Sequence, residues 1–299
     1  MANQQASEPA AGSIYDLGYR NYRGVRLGRR HALFALYLQS LRGVFGIGRG
    51  AVSKIFPIGL AIVVLIPAVV QLGIAALADD AVDVFKAEDY YSFVQIILAL
   101  FITAVAPDLL ARDQRTQTLS LYFSRALKRA DYALAKFGAL VTAMLILTIV
   151  PQAVMFIGNS MAGNDFTGYL KDEWDLVPPI LASGLLLSLL MAGIGLAIAA
   201  QTSRRAYSTV AILATFVLSL PIAVALLETT DSDIGGLSLL LSPFHLVRGF
   251  TLWFFDVPPE VGSELATADL PGALYALVAV MITVLTLIVL LRRYDRIRA

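Results

Sequence analysis

The sequence predicts an all-α integral membrane fold with six transmembrane helices. Three observations lead there. Apolar residues make up 58% of the 299-residue chain and charged residues only 15%, with a mean hydropathy of +0.74; soluble domains run nearer a quarter charged. Six uncharged apolar runs, at about 55–78, 90–107, 137–157, 179–200, 206–227 and 272–291, have roughly the 20 residues a helix needs to cross a bilayer. They are continuous rather than alternating, and open strand edges are not tolerated in lipid. Finally, Lys and Arg fall almost entirely on one side of those runs. Eight precede the first, six lie between the second and third, two between the fourth and fifth, and four follow the sixth, which is 20 of the 23. Only Lys86, Lys171 and Arg248 fall on the other side, where 16 of the 22 acidic residues lie. Such a bias places both termini in the cytoplasm and the chain in the cell membrane as a multi-pass protein.

Residues 1–54 read as a cytoplasmic tail and an interfacial helix. The start, "MANQQASEPAAG", lacks a basic stretch followed by an apolar run, so no cleavable signal peptide is expected. Next comes "YRNYRGVRLGRR", with Arg20, Arg23, Arg26, Arg29 and Arg30 in twelve residues. A nucleic-acid arm or a membrane-surface anchor would both suit it. The cytoplasmic charge bias favours anionic lipid headgroups, at about 1 kcal/mol of attraction per residue, and no nucleic-acid partner is expected. The glycines and Tyr15, Tyr19 and Tyr22 suggest an irregular, aromatic-anchored lead-in. In "HALFALYLQSLRGVF", Phe34, Leu38, Leu41 and Phe45 form one helical stripe opposite Gln39 and Arg42. This suits an amphipathic helix lying in the interface or packed on other protein.

The six spans, residues 55–291, contain no Asp, Glu, Lys, Arg or His within their apolar runs. An ion-driven transporter usually carries such a group as its relay, although sodium can be held by backbone carbonyls in broken helices. A stand-alone secondary transporter or channel is therefore the competing reading. Catalytic and metal sites are not expected. The chain has no cysteine and two histidines, and no H-E-x-x-H, G-x-S-x-G or G-x-x-x-x-G-K-[ST] motif. Gln95, Thr103, Thr215 and Ser219 are candidate cavity residues, or each bonds a neighbouring helix. In the fourth span, Gly193 with Ala197 and Gly195 with Ala199 have small-xxx-small spacing, which permits close helix packing within or between subunits. Pro67, Pro151 and Pro221 predict kinks. Residues 292–299 form a basic cytoplasmic tail.

The loop between spans two and three, "PDLLARDQRTQTLSLYFSRALKRADYALAKF", is basic yet rich in apolar residues. A short helix that docks Leu119, Tyr122 and Phe123 on a partner, with Arg125 and Arg129 at the rim, explains that mixture; a helix lying on lipid is the plainer alternative. Asp131 is placed to cap the third span. Together with "SRRAY" at 203–207 and the long loop before span six, this stretch resembles the type-2 permease of ATP-binding-cassette (ABC) exporters, actinobacterial type. Asp113 holds the acidic place of that family's coupling stretch, followed by Arg115. Thr116 and Gln117 stand where a glycine turn is usual, and Ala126 where proline is common. The resemblance implies a coupling helix seated on a separate ATPase that binds ATP and Mg. It also implies a second permease subunit, identical or related, and re-entrant helices between spans five and six; an amphipathic segment on the outer leaflet would fit that loop too. With no charge in the spans, the expected cargo is hydrophobic or amphipathic: a lipid, drug or peptide antibiotic.

Overall fold

The structure, a computed structural model, describes residues 24, 27–48, 50–77, 86–124, 127–162, 166–230 and 235–296. Every regular element among them is helical. Six helices are long and apolar enough to cross a membrane. They are α2 (Val52–Leu77), α3 (Ala87–Arg115), α5 (Arg129–Ala162), α7 (Val177–Ala199), α8 (Arg205–Thr229) and α11 (Gly272–Asp295). Among the described residues five shorter α-helices join them, α1 (Gly28–Val44) before the first, α4 (Leu119–Phe123), α6 (Phe166–Asp172), α9 (Pro243–Phe254) and α10 (Glu264–Ala268), with 3-10 turns at Trp174–Leu176 and Gly236–Leu241.

The long elements are helices because a backbone in hydrocarbon must satisfy its own hydrogen bonds. Their ends are set by local chemistry. α3 stops where Gln117 enters the left-handed region, at φ +53°. Pro243 opens α9 from the first turn, where its missing N–H costs nothing. Ser263 caps α10, its Oγ accepting from the Ala266 N–H. Pro67, Pro151 and Pro221 all lie inside unbroken helices.

α7 is the most buried of the six and packs against α3, α5 and α11. Its glycines make that possible. A methyl group at Gly195 would strike the Ile102 side chain of α3, and one at Gly193 would strike Thr286 of α11. The small-residue face thus packs within the chain. At the opposite extreme, α8 is the least buried, with Val210, Val217, Leu218 and Ile222 exposed.

Long-range bonds define two ends. At one, the Gln152 side chain donates to the Ala87 carbonyl and Tyr91 to that of Ile180. There too Arg248 of α9 pairs with Asp89 and Glu260, at 3.0 and 2.8 Å. The other end gathers the C-termini of α3, α7 and α11 with the N-termini of α5 and α8 and is rich in Arg and Lys. We call it the basic end.

Helix α1 keeps part of the expected stripe, with Leu41 packed against the core and Phe45, just past the helix end, on Phe101, but its most buried face is rotated from it. Leu36, Ser40 and Val44 are its buried residues, whereas Phe34 is 56% exposed. The reason is a polar and covalently distant anchor: α1 packs on α5, Arg29 pairs bidentately with Asp131, and the Tyr37 hydroxyl bonds Thr142. These contacts rotate the helix away from its most apolar face. Arg29 and Arg30 are helical; Arg20, Arg23, Arg26, Tyr15, Tyr19 and Tyr22 lie outside the described residues.

Candidate functional site

The segment joining α3 to α5 at the basic end is built from a reversed turn and one short helix. Thr118 N–H donates to the Asp113 carbonyl, and the Thr118 hydroxyl bonds the same oxygen. Gln117 holds the left-handed conformation that glycine adopts without cost. So the turn has the shape a glycine would give it, made with another residue.

Helix α4 then splits into two faces. Leu119, Tyr122 and Phe123 share one face, as the i, i+3, i+4 spacing requires. Leu119 is buried, and Tyr122 and Phe123 pack their rings on Tyr132 of α5 at 5.6 and 6.0 Å. Tyr132 in turn packs at a tilt on Tyr294 of α11, with ring centres 5.0 Å apart. Leu121 projects the other way and is 65% exposed. Leu119 is thus covered inside the chain, while Tyr122 and Phe123 are half-buried and keep part of their apolar surface open.

The charged candidates are also engaged. Asp113 accepts from the Tyr132 hydroxyl at 2.7 Å and pairs with Lys136 at 2.9 Å, both side chains being mostly buried. It fastens α3 to α5. Arg129 donates to the Asp295 carbonyl at the C-terminus of α11, where a cation suits the helix dipole, and lies over the Phe123 ring. Arg115 is exposed in the last turn of α3. Arg125 lies outside the described residues. Asp131 does not cap α5, because the helix begins two residues earlier; it sits in the first turn and accepts from the Lys128 N–H at 2.9 Å, the carboxylate half of a capping box.

Residues that sequence reasoning overlooked complete this end. Gln114 donates to the Tyr294 hydroxyl, and both Gln114 and Arg293 donate to the Ala200 carbonyl at the end of α7. Arg205 of α8 pairs with Asp108 of α3 at 3.1 Å. Helix α4 therefore stands on a platform that joins α3, α5, α7 and α11.

The four cavity candidates do not share one space. Thr103 lines a cavity of about 580 Å³ between α2, α3 and α8, with its hydroxyl bonded to the Ala99 carbonyl. Gln95 is buried, and its Oε1 has no partner among the described residues. Thr215 is exposed on α8 and Ser219 partly so, each bonded back to its own helix. No cluster of His, Cys, Asp and Glu fit for a metal ion occurs among the described residues. No family model matches the chain, and no curated protein does either.

Proposed function

We propose that the chain is the transmembrane permease subunit of an ATP-driven ABC exporter in the cytoplasmic membrane, its basic end facing the cytoplasm. It works with a second permease subunit and a separate ATPase that binds ATP and Mg. The cargo is hydrophobic or amphipathic. The observation that carries this reading is the mounting of α4. A short helix stands at the basic end, rooted by one face in a platform joining four long helices, with Leu121 and the nearby Arg115 presented outward. A push on such a helix reaches the bundle through packed rings rather than through a slack loop, as a coupled two-state transition needs. Asp113, Leu119, Tyr122, Phe123 and Arg129 act as its mounting, and Leu121 and Arg115 as its contact.

The test is purification from the native membrane followed by reconstitution. An ATPase is expected to copurify, and liposomes holding both are expected to move a fluorescent amphipathic probe only with ATP. The chain alone should hydrolyse no ATP. Movement of the probe by the chain alone under a proton gradient would instead establish a secondary transporter.

A further inference from the structure

Two cavities of opposite chemistry adjoin at the basic end. One, of about 450 Å³, is polar and is lined by Gln39, Ser40, Arg112, Thr118 and the Asp113–Lys136 pair. The other, of about 580 Å³, is walled mainly by apolar side chains, among them Phe56, Leu100, Val105 and Leu213. Gly43 and Asp108 belong to both walls, so the two spaces are neighbours along α3. From Leu100 to Asp108 the helix rises about 12 Å, and from Asp108 to Thr116 about 12 Å more.

Two features of the polar cavity call for a ligand. Ser40 is 3% exposed, and its hydroxyl has no hydrogen-bond partner among the described residues; buried hydroxyls are seldom left so. Its wall carries two carboxylates, Asp108 and Asp113, and two cations, Arg112 and Lys136, but Asp108 draws its partner, Arg205, from the adjoining wall. Asp113 is paired with Lys136 and Asp108 with Arg205, while Arg112 makes no ion pair among the described residues. One cation beside an orphan hydroxyl suits a phosphate.

We propose that a glycerophospholipid from the leaflet at the basic end occupies both cavities. Its phosphate sits at Arg112 and the Ser40 hydroxyl, and an acyl tail runs between Phe56, Leu100 and Leu213. A free phosphate ion would answer the first cavity and leave the second unfilled, and apolar cavities hold water poorly. A tail fills it. The proposal rests on the membrane character of the six long helices and not on the exporter reading.

Native mass spectrometry of the purified full-length chain, without nucleotide or partner, tests it with three probes. Dioleoyl phosphatidylglycerol carries head and tail, dioleoylglycerol the tail alone, and glycerol 3-phosphate the head alone. The phosphatidylglycerol is expected to bind tightest. Arg112→Gln should weaken it about tenfold, as loss of one charge-assisted contact does, and leave dioleoylglycerol unchanged. Leu213→Trp, which fills the tail space from α8, should weaken both lipids. Arg296→Gln, at the same end but outside both cavities, should change neither. Glycerol 3-phosphate binding as tightly as the lipid would overturn the proposal in favour of a free-phosphate site. Equal retention of dioleoylglycerol would overturn the role of Arg112. Should Leu213→Trp fail to insert, Arg112→Gln at an exposed position still decides: unchanged phosphatidylglycerol binding there overturns the proposal.

Discussion

His245 in α9 is 8% exposed, and its Nδ1 has no partner among the described residues. Burial holds its pKa below the usual imidazole value, with Glu264 of α10 pulling weakly the other way. The folded chain therefore binds this proton more weakly than the unfolded chain, which takes it up near pH 6.5. With the unfolded state binding more protons, stability is complete above that pH and falls as the pH drops below it. In detergent, the melting temperature should decline from pH 7.5 to 5.5, and His245→Gln should flatten part of that decline. Parallel curves for the two proteins would mean that another group titrates. A second residue at this end works differently. Arg248 is 17% exposed and shares its guanidinium among Asp89, Ser92 and Glu260, so the one cation in that stretch is consumed in tying α9 to α3.

At the scale of elements, the two faces of α4 make separable predictions. Leu121→Asp leaves the ring platform untouched and should weaken retention of the ATPase on the purified chain, without lowering the melting temperature of the chain alone. Tyr122→Ala with Phe123→Ala should do the reverse first: losing two half-buried rings costs roughly 2–4 kcal/mol of local packing, read as faster proteolysis at residues 113–132. If Leu121→Asp retains the ATPase with unchanged affinity, α4 is not the contact. The spacing of 119, 122 and 123 was legible in the sequence as one face; that this face turns inward was not, since the partner ring, Tyr132, belongs to the next helix and Tyr294 to the last. The six long helices were legible because their apolar runs are unbroken, and four of them end within four residues of those runs; the ends of α3 and α5 were not legible. α3 continues to Arg115 and α5 begins at Arg129, well beyond runs placed at 90–107 and 137–157, because apolarity marks bilayer thickness and a helix has no reason to stop there. The direction of Thr215 and Ser219 was not legible for a related reason: a hydroxyl that bonds its own helix can sit on the outside of the chain as readily as within it.

For the molecule as a whole, the charge bias of the sequence predicts an orientation. In this cysteine-free chain, single cysteines at Lys171 and at the fully exposed Val261 should react with an impermeant maleimide in intact cells. Cysteines at Thr116 and Ser203 should react only after the cells are opened. The opposite pattern would invert the assignment. The uneven burial of the six long helices also bears on the history of the sequence. At Gly193 and Gly195 a single added methyl group meets a neighbouring side chain, so these positions of α7 have almost no neutral neighbours in sequence space. Val217, Leu218 and Ile222 of α8 are exposed and can exchange among aliphatic residues with little change to the packing inside the chain. Mutational drift is thus channelled: in a saturation library scored for correctly inserted protein, α7 should be depleted at nearly every inward position while α8 accepts most apolar changes. A lineage carrying this fold would keep the middle of its bundle fixed and let the rim wander.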